Sequence, residues 1–210
     1  MISLEMFQTL FIFGGLLITL LLSHILEKKE ACPCMIRTPI SVIAMITTII
    51  LGVVTGFNPL TYMVIFISFI AALGSALAPR IEYSGGVTYL IGYLGLFALF
   101  DKFNIVDIFN IGLENLSIFG ALLAIALMFM KKSNPIITIY IIGLGMFFMT
   151  GVTSGLLPII VGTLLWIMSE IIIIYSDEYL EVVNPLYTKF TYFSAALFSY
   201  GVLMFPLALL

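Results

Sequence analysis

The sequence predicts an all-α fold, a polytopic transmembrane bundle of about eight helices, since each span needs roughly 20 apolar residues. Three observations predict it. Hydrophobic residues fill 62% of the 210 positions and charged residues only 9%. Mean hydropathy is +1.25. The apolar residues fall into long runs broken by charges, prolines and glycines. A soluble domain carries about 25% charged residues. So few charges leave too little polar surface to cover a water-soluble fold.

The runs follow in order, each a helix because a lipid-embedded backbone must pair its own polar groups. The first covers about 6–26. No basic segment precedes it, so we read it as a retained helix rather than a cleaved leader. The second covers 39–56, with Pro39 in its first turn, where a missing N–H costs nothing. The third is 60–78 and the fourth 85–100. The fifth lies at 116–130. The sixth, 135–151, opens on Pro135, and the seventh, 156–175, carries Pro158 in its first turn. The eighth is 190–210. Alternating polarity, the mark of a membrane strand, is absent from these runs. The eight spans use the whole chain, 1–210, as one membrane domain. Gly52 with Gly56, Gly120 with Ala124 and Gly151 with Gly155 have the spacing that lets helix backbones approach closely.

Charge then orients the bundle. Lys28, Lys29, Arg37, Arg80, Lys131, Lys132 and Lys189 fall in loops on one side, and Lys102 alone falls on the other. Basic loops stay cytoplasmic, so both termini of this cell-membrane protein face away from the cytoplasm. No Lys or Arg falls inside a run. Glu27, Glu30, Glu82, Asp177, Glu178 and Glu181 join the basic side as solvated loop charges. The scattered basic residues exclude a nucleic-acid footprint.

Glu170 stands out because apolar residues flank it on both sides. A carboxyl at membrane depth is expensive unless it is paired, hydrated or protonated. Helical spacing places Thr163, Trp166, Glu170 and Asp177 on one face. Two readings stay open at this point: a general acid in a polar cavity, or a structural carboxyl bonded to a neighbouring helix. His24, the lone histidine, ends the first run near the interface. Cys32 and Cys34 are too close to frame a disulfide scaffold. With only His24 nearby they also fall short of a four-ligand zinc site. No metal or cofactor is expected. Walker A, GxSxG, HExxH and redox CxxC motifs are absent.

Several short motifs recur in a shared order. They are Thr38-Pro39-Ile40, then Ala72 to Leu77 followed by Pro79-Arg80, and Gly86-Val87-Thr88-Tyr89-Leu90. Asn134-Pro135 through Tyr140 comes next, then Gly162 to Glu170 and Tyr192-Phe193-Ser194-Ala195. In this order they resemble the YhhN-like membrane family, whose characterised members are lysoplasmalogenases. The resemblance covers most of the chain. It departs at four places. Ser75 stands where the family has its first Asp, Gly92 where it has a His, Gly95 where it has a Tyr, and Glu170 where it has its second Asp. The resemblance implies a lysolipid substrate held among membrane lipids, with Glu170 and Ser75 as the catalytic positions. Thr163, Trp166, Tyr192 and Arg80 would bind substrate, with Arg80 on the lipid phosphate. The third and seventh helices run parallel, which suggests a parallel duplication of four helices and one cytoplasm-facing cavity holding Ser75 and Glu170. The alternatives are a non-catalytic relative that binds a lipid or small molecule, and a structural or proton-relay subunit of a membrane complex.

Overall fold

The computed structural model describes residues 4–80, 84–102 and 135–210. Among them the chain forms seven α-helices and no strand. They are α1 (Leu4–Lys28), α2 (Cys34–Thr55), α3 (Pro59–Leu77), α4 (Ser84–Lys102), α5 (Pro135–Thr153), α6 (Leu157–Tyr179) and α7 (Pro185–Met204). A 3-10 turn, Phe205–Leu209, closes the chain. The expected fifth run, 116–130, with Gly120, Ala124, Lys131 and Lys132, lies outside the described residues.

Local chemistry sets the helix starts. Asn58 caps α3: its side chain accepts from the Thr61 backbone N–H at 2.9 Å, and Thr61 returns a bond to the Asn58 N–H. That reciprocal pair satisfies two orphan donors at once. Asn184 accepts from the Leu186 N–H at the head of α7. Pro59 and Pro185 each follow their caps as the first helical residue, where their fixed φ fits the helix. Gly56 and Gly155 have φ of +92° and +67° and open space around them. They serve as turn residues rather than as packing positions. Gly52 and Gly151 do pack, against Phe57 and Thr61, and against Thr163.

Among the described residues, five helical stretches are long and apolar enough to cross a membrane: Phe11–Lys28, Cys34–Thr55, Pro59–Leu77, Leu157–Asp177 and Pro185–Leu209. The outside of the bundle is apolar, with Leu17, Ile50, Val54, Ile91 and Met168 exposed. Water would not tolerate such a surface, whereas hydrocarbon favours it. The chain is therefore a helical membrane protein.

The most enclosed element is α7, buried almost continuously from Ser194 to Met204. Helix α1 lies along it, with Gly15 against Leu203 and Tyr200 and the Ser23 hydroxyl donating to the Tyr192 carbonyl at 2.7 Å. Helix α6 crosses it at glycine: a Cβ on Gly162 would sit 2.7 Å from the Gly201 carbonyl oxygen, and the reverse also holds. Helices α4 and α5 run parallel, since Gly86 meets Tyr140, Gly143 meets Leu90, and Tyr93 stacks on Phe147.

Two expectations need correction. Helix α2 begins at Cys34, so Pro39 lies inside it rather than in its opening turn. Arg37 is consequently helical and buried, 9% exposed, not a solvated loop charge. A basic residue does sit within a candidate span. The cysteines also differ from a free pair: Cys32 and Cys34 are joined as a disulfide across Pro33. This link cross-links no helices.

Candidate functional site

Helix α2 carries Arg37, Ser41, Ala44 and Thr48 on one buried face. The Arg37 end of this stripe meets α7 at Ser194 and Phe198, which are one helical turn apart. The Arg37 guanidinium points into the bundle interior from there. One of its terminal nitrogens donates to Ser194 Oγ at 3.3 Å. The carbon of the guanidinium lies 4.6 Å from the centroid of the Phe198 ring, a cation–π contact.

Its other terminal nitrogen meets Glu170 Oε1 at 3.4 Å. Both side chains are nearly sealed from solvent, 10% and 7% exposed. The second carboxyl oxygen, Oε2, accepts from the Tyr140 hydroxyl at 2.9 Å. Glu170 thus has a partner on each oxygen, one from α2 and one from α5.

Ser75 lies at the same end of the bundle, near the end of α3. Its hydroxyl pairs with the Tyr89 hydroxyl at 2.9 Å. Tyr89 lies over Gly74, where a Cβ would strike its ring, and its ring lies 5.9 Å from that of Phe198, the ring the Arg37 guanidinium covers. Ser75 and Glu170 are thus connected through Tyr89, the Phe198 ring and Arg37. Beneath the cluster lies an aromatic layer. Trp166 packs edge-on against Phe198 at 4.6 Å, Phe147 at 5.1 Å and Tyr89 at 5.5 Å between centroids. Tyr93 stacks on Phe147 at 4.8 Å.

The other expected site residues scatter. Thr163 is buried at the far end of α6, its hydroxyl bonded to the Ile159 carbonyl at 2.9 Å. It lines a partly open apolar cleft with Leu60, Met63, Phe147, Gly151 and Phe205, whose cavity volume is about 10 Å³. That is room for about one water. Trp166 sits in the aromatic layer. The Tyr192 hydroxyl donates to the Ala31 carbonyl in the loop between α1 and α2, away from the carboxyl. Arg80 is exposed in the turn after α3. His24 is on the surface, 3.7 Å from Glu27. Asp177 is exposed and accepts from the Tyr187 hydroxyl at 3.1 Å. No cluster of three or more metal-ligating side chains occurs among the described residues.

Sequence reasoning missed Arg37, Tyr89 and Tyr140 as site residues. The signal for Arg37 was present in the 37, 41, 44, 48 spacing, and the proline at 39 masked it. The glycine at 92 also gains a physical reason. It brings α4 onto α3, where even a Cβ would lie 3.0 Å from Ile70 Cγ1. A histidine there has no room.

Comparison with known proteins adds no further constraint: no family model, curated protein or solved structure matches the chain.

Proposed function

We propose that the chain is a multi-pass membrane protein that handles a single-chain lipid, with the lipid's polar group at the Arg37–Glu170–Tyr140 cluster. The supporting observation is a buried ion pair, flanked by the Tyr140 and Ser194 hydroxyls, inside a largely apolar bundle. Intramembrane ionisable groups that face a bundle interior mark functional positions more often than not. Arg37 is the group that suits a phosphate, because its planar fork matches two phosphate oxygens. A phosphate on Arg37 releases Glu170 from its ion pair.

The activity consistent with the YhhN-like resemblance is cleavage of a lysolipid vinyl ether. Glu170, once protonated, gives its proton to the alkenyl carbon. Water adds to the oxocarbenium carbon, and the hemiacetal breaks down to a free aldehyde and the glycerol-phosphate fragment. Ser75 acts through Tyr89 rather than on the substrate. The same reading places the basic loops in the cytoplasm and both termini outside, and carries the eight-helix count and the parallel four-helix duplication.

A second reading, lipid binding without turnover, has its own observation. Both Glu170 oxygens already have partners, and Gly92 is packed where the family's His would stand. Native mass spectrometry of the detergent-released protein tests the shared part of both readings. Wild type should retain a phosphate-bearing lysolipid that Glu170→Gln with Arg37→Met loses. Equal retention by both proteins would remove the site.

A further inference from the structure

Cys32 and Cys34 are the chain's only cysteines. They are joined across Pro33 in the loop between α1 and α2. A disulfide stabilises a fold mainly by restricting the unfolded chain, and the effect shrinks with the loop it closes. This one closes over a single residue, a proline whose φ is already fixed. It ties no helix to another. Its contribution to the stability of the bundle is therefore close to the least a disulfide can make.

The backbone around the pair is held without that bond. The Cys32 carbonyl accepts from the Met35 N–H at 2.9 Å, and the Pro33 carbonyl from the Ile36 N–H at 3.1 Å. One residue earlier, the Tyr192 hydroxyl of α7 donates to the Ala31 carbonyl. Opening the S–S bond leaves these contacts in place, so the two sulfurs stay side by side. Groups positioned this way react as if at very high local concentration, which makes reclosure easy. The pair is also reachable, since Cys32 is exposed and Cys34 half-buried. The Cys34 N–H donates to Cys32 Sγ at 3.3 Å. Cys34 is the first residue of α2, so this N–H is a donor that the helix leaves without an acceptor of its own. Such donors favour a sulfur anion.

We propose that Cys32-Pro33-Cys34 is a thiol–disulfide exchange site that cycles with small soluble thiols. A thiolate attacks the exposed Cys32 Sγ. The S–S bond breaks, and its electron pair leaves on Cys34 Sγ, which takes up a proton. A second thiolate attacks the outer sulfur of the mixed disulfide. Cys32 leaves as the thiolate facing the Cys34 N–H and takes up the second proton. Two small thiols are thereby oxidised to one disulfide, and the cysteine pair is reduced to two thiols. A small disulfide drives the same steps in reverse. With the basic loops in the cytoplasm, the pair meets a compartment rich in reduced thiols, where disulfides are transient and redox-active rather than structural. The exchange chemistry itself does not depend on that orientation or on lipid handling.

The full-length protein in detergent, equilibrated in buffers of reduced and oxidised glutathione, tests the proposal. Samples are quenched with a maleimide and weighed intact. The site predicts two maleimides per chain in reducing buffer and none in oxidising buffer, with one curve approached from both directions. Cys34→Ser should collect one glutathione on Cys32 from the oxidised form, and Cys32→Ser several-fold less. Reduction should leave the midpoint of unfolding in sodium dodecyl sulfate unchanged, a readout independent of exchange. A pair that stays closed in excess reduced glutathione, or open in excess oxidised glutathione, overturns the proposal. So does a midpoint that falls on reduction, which marks a structural bond. Equal glutathione uptake by the two variants contradicts attack at Cys32 and overturns the mechanism.

Discussion

Arg37→Met is the perturbation with the clearest expected magnitude. Methionine keeps the apolar stem and removes the guanidinium. The change strips Glu170 of its charged partner at 3.4 Å in a site where both side chains are at most 10% exposed. Breaking a buried pair from one side costs about 3–5 kcal/mol, because a charge stays behind unpaired. The Tyr140 bond remains on the other oxygen, which places the loss toward the lower end of that range. The cation–π contact with Phe198 is lost as well, worth about 1–2 kcal/mol when desolvated. We therefore expect a destabilisation of about 3–5 kcal/mol for the single variant. Glu170→Gln keeps the Tyr140 contact and leaves the guanidinium unpaired instead. The double variant leaves no uncompensated charge, so it should be more stable than the sum of the single losses by about 2 kcal/mol, within the range for residues in contact. Unfolding by sodium dodecyl sulfate in mixed micelles, followed by Trp166 fluorescence and helical circular dichroism, measures all four corners of the cycle. A coupling below about 0.5 kcal/mol would mean that the pair does not act as a unit, and the reasoning about a buried cluster would be wrong.

Three further outcomes follow from named contacts. Gly162→Ala places a methyl 2.7 Å from the Gly201 carbonyl oxygen, forcing α6 off α7, so a loss of about 1–3 kcal/mol is expected in the same unfolding assay; an unchanged midpoint would show that the two backbones are not in contact. Asn58→Ala removes the side-chain acceptor of the Thr61 N–H, leaving the backbone bond to the Thr61 hydroxyl, and should cost about 1 kcal/mol, with faster amide exchange confined to the first turn of α3. Cys32 and Cys34 are the only cysteines. After reduction by a membrane-permeant phosphine, they should resist an impermeant maleimide in intact cells and react once the membrane is opened, and labelling in intact cells would reverse the proposed orientation.

Most of the fold was legible because hydrophobic length and charge are read directly by the bilayer. The starts of α3 and α5, and the proline in the first turn of α6, fell where the sequence placed them. Helix α2 did not, because Pro39 is its sixth residue, past the first turn where a proline's missing N–H costs nothing, so it marked a start that lies five residues upstream. That single ambiguity put Arg37 in a loop on paper, whereas the fold buries it beside Glu170. The carboxyl itself was legible from its apolar flanks. Its partners were not, since Arg37 is 133 residues away in the chain and Tyr140 is 30 residues away. Nothing local marks such pairs. Tyr192 entered as a substrate-binding position through the family resemblance, and no local signal marked the contact its hydroxyl makes, which ties α7 to the loop ahead of α2.

The measurement closest to the central claim is aldehyde release from a 1-alkenyl lysolipid by the purified protein, followed alongside Glu170→Gln and the matched 1-acyl lysolipid. The account predicts that wild type releases aldehyde from the vinyl ether, that the variant loses this activity while keeping its fold, and that the acyl analogue yields none. Release that survives Glu170→Gln unchanged, or no release from wild type, would contradict it.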